Sequence, residues 1–315
     1  MPGFATHYLF GISTFHHIKD KVIHNVLKWH YHAYSLGLQG PDLFFYYLPG
    51  FRKHPNPGSI AHNSRTGDFL RELIEGSQTF SKRGEREIAL SYTAGFLGHY
   101  TLDTTCHPYI YFKTHYRENT PEYFGRHVYL ETDIDKKLLK EKKNLLPSGF
   151  HQERTICLNH KERRVIARLL YFAYHKVFPD LKLTYPDMYA ATLFMPFGIF
   201  VLHDPYGKKK TFARKIEKRF VGYPYVSPLI PSDKLRFTTD PLNRKHRTWK
   251  NPWDTSIVST DSFYDLFEKA QIKYLHRLEL LAPLITSDQS PRRLQNLQKL
   301  TDDLGNCSYG SGLPL

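Results

Sequence analysis

The chain has 315 residues, of which 41% are hydrophobic and 15% aromatic, a composition typical of globular and not of disordered proteins. Its three cysteines (106, 157 and 307) are odd in number and far apart, which excludes a disulfide framework and a cysteine-rich zinc finger. The 44 Lys and Arg against 30 Asp and Glu give a net charge of +14, which favours anionic partners such as phosphates, lipid headgroups or nucleic acid.

The predicted elements are helices, and we expect an all-α fold because no alternating strand pattern is present. In chain order, the apolar periodicity and the start and stop signals predict helices at about 22–34, 66–80, 85–106, 121–143, 160–177, 185–203, 262–282 and 291–304. Pro108 is expected to end the long third helix, and Gly40-Pro41 to open a short one that carries Asp42. Residues 204–261 are rich in Pro, Gly and basic residues and are predicted to be irregular.

The domain and location predictions follow from the same patterns. Residues 1–205 are expected to form a helical metal-binding core, with the basic segment and C-terminal helices of 206–315 packed on the same domain. The longest apolar run, 189–202, is shorter than a membrane span and is interrupted by Pro196 and Gly198. No transmembrane segment and no signal peptide are predicted, and we expect a cytoplasmic location.

Histidine is concentrated in the N-terminal half, where 12 of the 18 histidines precede residue 128. His99, Asp103 and His107 are spaced i, i+4, i+8, so they project from one face of the long helix. The same face carries core-type residues upstream, and a buried carboxylate needs a partner or a metal ion. Neighbours four apart can share one ion, but residues eight apart rise about 12 Å and cannot. If all three are ligands, the protein holds at least two metal ions.

The next predicted helix supplies a second pair, His127 and Glu131, which are again four residues apart. Asp42, His62 and His7 add further nitrogen and oxygen donors from three other elements. A donor set without sulfur suits Zn²⁺ in hydrolytic sites with several metal ions.

These residues resemble the ordered ligand pattern of the zinc-dependent phospholipase C family, which includes the bacterial phosphatidylcholine-preferring enzyme and is distantly related to single-strand-specific zinc nucleases. The pattern is a His, an Asp, a His, a His-x-x-x-Asp, a His and a His-x-x-x-Glu, here at His7, Asp42, His62, His99, Asp103, His107, His127 and Glu131. The resemblance covers the chain through Glu131 and implies a multi-helix bundle like those of the phospholipases C and zinc nucleases.

The resemblance also implies which residues share each zinc ion. One ion would be held by Asp42, His62, His99 and Asp103, and a second by His107, His127 and Glu131. A third would use His7, Asp103 as a bridge, and the α-amino group of the mature chain. Removal of Met1 would place that amine on Pro2.

The function implied is hydrolysis of a phosphodiester by zinc-activated water, with Asp42 orienting or deprotonating the water. With a phospholipid as substrate, the products would be diacylglycerol and a phosphorylated headgroup. In the phosphatidylcholine-preferring members an aromatic residue after the Asp helps to cage choline. Leu43 stands at that position here, so a choline preference is not predicted.

Two alternatives remain open from the sequence. The first is a nuclease acting on single-stranded nucleic acid, favoured by the charge and the abundant aromatic residues. The second is a non-catalytic, metal-stabilised helical protein that binds anionic surfaces. The basic run at residues 208–219 could contact an anionic membrane, follow a nucleic-acid backbone, or simply be a solvated face.

Overall fold

A computed structural model of the chain describes residues 3–49, 56–116, 120–286 and 291–315. Within these ranges the fold is all-α, as predicted, with a single two-stranded antiparallel ladder between β1 (Trp249–Lys250) and β2 (Val258–Ser259). The helices are α1 Phe4–Phe15, α2 Lys21–Trp29, α3 Tyr31–Gly37, α4 Leu43–Tyr46, α5 Pro57–Asn63, α6 Thr66–Ser77, α7 Arg83–Lys113, α8 Pro121–Lys143, α9 Gln152–Thr155, α10 His160–Val177, α11 Tyr185–Leu202, α12 Lys208–Phe220, α13 Phe263–Thr286 and α14 Pro291–Leu304.

Helix α7 is the centre of the bundle. It packs against α3, α13, α10 and α6, and almost every side chain from Ile88 to Ile110 is buried. A helix that is surrounded in this way carries apolar residues on all sides instead of one stripe. Every element that packs on α7 is therefore positioned relative to the same axis.

The prediction that Pro108 ends this helix was wrong, because α7 continues to Lys113. An internal proline removes one backbone hydrogen bond and costs about 3 kcal/mol. Tertiary contacts of the residues that follow the proline offset that cost. The Tyr109 hydroxyl donates to the carbonyl of Pro241, and Ile110 is fully buried.

The helix predicted at 22–34 is divided into α2 and α3 by His30, whose φ of −115° and ψ of 42° are not helical. The break lets α3 lie against α7 at very short range. A Cβ on Gly95 would overlap the carbonyl oxygen of Tyr34, and a Cβ on Gly37 would overlap that of Tyr92. Local periodicity does not show this constraint, because it arises between two helices.

The segment predicted to be irregular contains α12, so that prediction was partly wrong. Helix α12 was not recognised because its buried positions are polar. Lys210 and Glu217 face the protein, while its apolar residues face outward. The remainder, from about 221 to 261, consists mainly of turns, one 3-10 turn at Ser227–Leu229 and the short ladder.

Residues beyond 261 return to α7. Helix α13 packs along α7, and Arg277 donates to the Thr101 hydroxyl on α7 and to Asp303 on α14, at 2.7 Å in each case. The C-terminal residues that follow α14 then return to α7, where the backbone N–H of Cys307 donates to the Tyr100 hydroxyl at 3.1 Å.

Replacing Gly95 by Ala is expected to lower the free energy of unfolding by about 1–3 kcal/mol, because the added methyl group forces α3 away from α7. This loss should occur although alanine is the better helix former. The control is Gly149→Ala, at a site where a Cβ meets nothing within 4 Å. Urea unfolding followed by circular dichroism measures both variants. Equal stability of Gly95→Ala and wild type would contradict the close packing.

Candidate metal centre

Asp103 lies at the middle of a buried polar cluster on α7. Its Oδ2 is 3.1 Å from His99 Nε2, one turn before it, and 3.8 Å from His107 Nδ1, one turn after it. Its Oδ1 is 3.2 Å from His7 Nε2 on α1. His99, Asp103 and His107 all lie on α7 at intervals of four residues and project to one side, as their spacing predicts.

His7 is brought to this cluster by the way α1 begins. The carboxylate of Asp135 on α8 accepts hydrogen bonds from the backbone N–H groups of Ala5 and Thr6 at 3.1 and 2.8 Å, and from the Thr6 hydroxyl at 2.6 Å. The His7 ring then stacks on His99 with 4.2 Å between centroids. Burial lowers the pKa of His7 to about 4, so the imidazole is neutral at pH 7, the form that binds metal ions.

Asp42 and His62 reach the same cluster from the chain segment between α3 and α6. A 3-10 turn at Gly40–Asp42 directs Asp42 inward, and His62 lies near the end of α5. Asp42 Oδ1 is 3.3 Å from His62 Nε2 and 3.9 Å from His99 Nε2. Gly40 is required here, since its φ is +52° and a Cβ would overlap the His99 ring.

His127 and Glu131 on α8 form a second cluster with His107. His127 Nε2 is 2.8 Å from Glu131 Oε1, and His107 Nε2 is 4.0 Å from the same oxygen. Burial raises the pKa of the Glu131 carboxyl well above its usual range, and Asp103 and Asp42 raise it further. A nearby metal cation would restore the ionised form of this carboxyl.

A hydrogen bond on the Nδ1 side orients four of these imidazoles. His62 donates to the carbonyl of Gly58 at 2.7 Å, His99 to that of Leu38 at 3.1 Å, and His107 to that of Tyr309 at 2.7 Å. His127 Nδ1 lies 3.1 Å from the Tyr123 hydroxyl. Each bond directs Nε2 toward the cluster, an arrangement found around metal-binding histidines.

These orienting groups were not predicted from the sequence. Gly58 and Tyr123 each precede their histidine by four residues, a helical spacing that could have indicated them. Tyr309 lies 202 residues from His107, and no local pattern connects the two.

The donor atoms form three groups, within each of which they lie no more than 4.8 Å apart. The groups are His7, His99 and Asp103; Asp42, His62 and His99; and His107, His127 and Glu131. The structure therefore brings together all eight predicted residues that it describes. Pro2, the ninth, lies outside the described residues.

The cluster has the chemistry expected of a metal site. Among the described residues, several buried donor atoms that face its interior have no partner at hydrogen-bonding angles: Asp42 Oδ1, both Asp103 carboxylate oxygens, and Nε2 of His62, His99 and His107. Leaving that many buried polar atoms unsatisfied would cost about 1–3 kcal/mol each. Imidazole nitrogens and carboxylate oxygens without sulfur are donors that suit zinc.

A buried centre of histidine and carboxylate donors in an all-α bundle defines a class of metal-dependent protein. The family model for zinc dependent phospholipase C matches residues 6–169, more than half of the chain, and this range includes all eight cluster residues. The chain belongs to the zinc-dependent phospholipase C family. No curated protein and no solved structure matches it.

Removing metal ions is expected to destabilise the protein, because the buried donors would lose their compensating charge. With zinc a thousandfold above its dissociation constant, the stabilisation would be about 4 kcal/mol, which corresponds to roughly 8 °C in Tm for a chain of this size. Calorimetry before and after dialysis against a chelator, with residual metal measured by elemental analysis, tests this. Readdition of zinc should restore the original Tm, and a metal-free protein that melts at the same temperature would contradict it.

Proposed function

We propose that this protein is a zinc-dependent phosphodiester hydrolase of the phospholipase C type, which cleaves a phospholipid to diacylglycerol and a phosphorylated headgroup. The observation that supports this most is the convergence of unsatisfied buried donors around Asp103 in a chain of this family. We further propose a cytoplasmic location, which remains a prediction from the sequence.

The three donor groups support binding of at least two zinc ions. The group of His107, His127 and Glu131 shares no residue with the other two, so we propose one ion there. A second would be held by Asp42, His62 and His99, with Asp103 3.1 Å from His99. A third would use His7 and Asp103, with the Pro2 amine completing its ligands.

When bound, zinc would polarise the phosphate oxygens, lower the pKa of a water molecule and stabilise the leaving alkoxide. Asp42 is the residue we propose to orient or deprotonate that water, because its side chain lies at the edge of the cluster, with 6% of the residue exposed. For Asp103, with 0% exposed, we propose metal binding and no contact with solvent.

Aromatic rings surround the donors and limit the access of water. Phe45 stacks on His62 at 5.7 Å between centroids, Tyr309 contacts His62 at 4.8 Å, and Tyr111 contacts His127 at 4.8 Å. A medium of low dielectric constant strengthens the attraction between carboxylates, phosphate and cations. The aromatic rings around the cluster therefore support the proposal that phosphodiester hydrolysis takes place at the metal centre.

The residues after Asp42 do not support a choline subsite there. Leu43 and Phe44 are fully buried in the core, and the Tyr47 hydroxyl donates to Asp187 at 2.6 Å. Among the four aromatic residues at 44–47, Phe45 is the one whose ring stacks on a histidine of the cluster. We therefore propose a phospholipid substrate without assigning its headgroup.

Asp42→Asn is expected to lower kcat/KM for a soluble short-chain phospholipid by about 100-fold or more, the usual size of a general-base contribution. The assay uses zinc-loaded protein, and its matched control is Asp68→Asn, a carboxylate exposed on α6. The zinc content of each variant, measured in parallel, shows whether a lower activity comes from loss of the Asp42 carboxylate as a base or from loss of zinc. Single-stranded oligonucleotides are assayed beside the lipid.

The outcomes of this assay discriminate the alternatives. Hydrolysis of the oligonucleotide alone would overturn the phospholipase proposal in favour of a nuclease. Zinc-loaded protein that hydrolyses neither substrate would favour the non-catalytic binding protein. Unchanged kcat/KM in Asp42→Asn would remove Asp42 from its proposed role.

A further inference from the structure

Helix α12 exposes its apolar residues and buries two of its charged ones. Phe212, Ile216 and Phe220 are spaced i, i+4, i+8 and are 66%, 42% and 79% exposed. They form one outward stripe, called here the outer stripe. Lys210 and Glu217, on the side of the helix that faces the protein, are 3% and 5% exposed.

Polar contacts hold α12 in place from its inner side. Lys210 Nζ donates to the carbonyl of Ile230 at 2.6 Å and lies 5.0 Å from the centre of the Tyr129 ring. The Glu217 carboxylate accepts hydrogen bonds from the backbone N–H groups of residues 225, 226 and 227. The outer stripe is therefore not needed to attach the helix to the protein.

The neighbouring helix α11 has an exposed apolar face as well. By length and composition α11 could cross a membrane, although its inner residues, such as Met188 and Met195, are buried against the core. Its outer face carries Leu193, Phe197, Phe200 and Val201. Lys209 Nζ joins the two helices by donating to the carbonyls of residues 201 and 203, at 2.7 and 2.8 Å.

Exposed apolar side chains are concentrated in this part of the described chain. Of the 25 exposed large hydrophobic residues within the described ranges, 12 lie between 193 and 229. Isolated exposed hydrophobics are ordinary, but a contiguous group indicates an interaction surface.

The charges beside the outer stripe are basic. On a helix of 3.6 residues per turn, Lys208, Lys215 and Arg219 project along one flank of the stripe. That flank continues into a cleft of about 280 Å³, lined by Lys210, Thr211, Arg214, Lys215, Lys218 and Arg236. No acidic side chain lines this cleft in the described residues, and Glu217, the acidic residue of α12, faces inward.

We propose that α12 docks the protein on an anionic lipid bilayer, with the outer stripe inserted at the boundary between headgroups and acyl chains and the basic cleft contacting headgroup phosphates. A helix with aromatic residues on one side, lysine and arginine on the other and low overall hydrophobicity is typical of interfacial membrane helices. This proposal rests on the proposed function, because a phospholipid substrate would lie in such a bilayer.

The charge pattern favours a bilayer over other partners. A second copy of this chain would place the same basic flank against itself, and like charges oppose that contact. The backbone of a nucleic-acid duplex would match the lysines but would leave the outer stripe exposed to water. An anionic bilayer matches both, with about 1 kcal/mol for each basic residue near its surface.

Cosedimentation with vesicles of phosphatidylcholine, with and without phosphatidylserine, tests the proposal. Wild type should bind the anionic vesicles more tightly than the neutral ones. The variant Phe212→Ser, Ile216→Ser, Phe220→Ser should bind at least about tenfold more weakly, with an unchanged Tm. The matched control replaces three hydrophobics exposed on other helices, Trp29, Ile272 and Leu294, by Ser and should bind like wild type.

A charge variant, Lys215→Gln, Lys218→Gln, Arg219→Gln, should lose affinity for the anionic vesicles and little for the neutral ones. Equal binding of wild type and the outer-stripe variant would overturn the proposal, as would a dimer in solution that this variant dissociates. Preference for single-stranded oligonucleotides over vesicles would overturn it as well.

Catalysis is measured separately, so the two proposals can fail independently. The outer-stripe variant should hydrolyse a soluble short-chain phospholipid at the wild-type rate and lose activity only on vesicles. Vesicle binding without any hydrolysis would keep the docking surface and refute the proposed function. Hydrolysis of soluble lipid without vesicle binding would keep the proposed function and refute the docking surface.

Discussion

The fully buried carboxylate of Asp103 is the group on which the rest of the structure depends. A charge in a protein interior is costly unless it is paired or bound to a metal ion. Burial alone would raise the pKa of Asp103, but the imidazoles of His107, His99 and His7 hold it well below its usual range. Three helices position the groups around this carboxylate. Asp103 itself lies on α7, and α3 packs against α7 so that the carbonyl of Leu38 orients His99. Asp135 fixes the start of α1, which places His7 Nε2 3.2 Å from the Asp103 carboxylate.

The parts of this centre that the sequence predicts are those formed within single helices. His99, Asp103 and His107 lie on one face of α7, and His127 and Glu131 meet on α8, because a spacing of four residues fixes side-chain direction in any α-helix. That Asp42 and His62 join them was implied by the family resemblance and not by spacing, because Asp42 lies in a 3-10 turn and His62 on α5, outside α7 and α8. The contribution of Tyr309 was not predictable, because it depends on how the C-terminal residues return to α7.

Helix prediction failed where local preference and tertiary contact disagree. Pro108 disfavours a helix locally, yet buried neighbours such as Ile110 keep α7 intact. Helix α12 was missed because the segment 204–261 was interpreted from its content of Pro, Gly and basic residues, although residues 212, 216 and 220 recur at a helical spacing. Here the periodic residues face solvent, and the helix is anchored by Lys210 and Glu217. The protein thus buries polar side chains at the metal centre and exposes apolar side chains on α12. Both arrangements reverse the usual distribution of polar and apolar residues, and both indicate a binding partner.

X-ray diffraction from crystals of the zinc-loaded protein, with anomalous data collected on both sides of the zinc absorption edge, tests the metal centre most directly. We expect separate zinc peaks at two positions or more. One should lie among His107, His127 and Glu131, and another among Asp42, His62 and His99. Zinc confined to the protein surface, with no anomalous peak within ligand distance of Asp103 or Glu131, would contradict it.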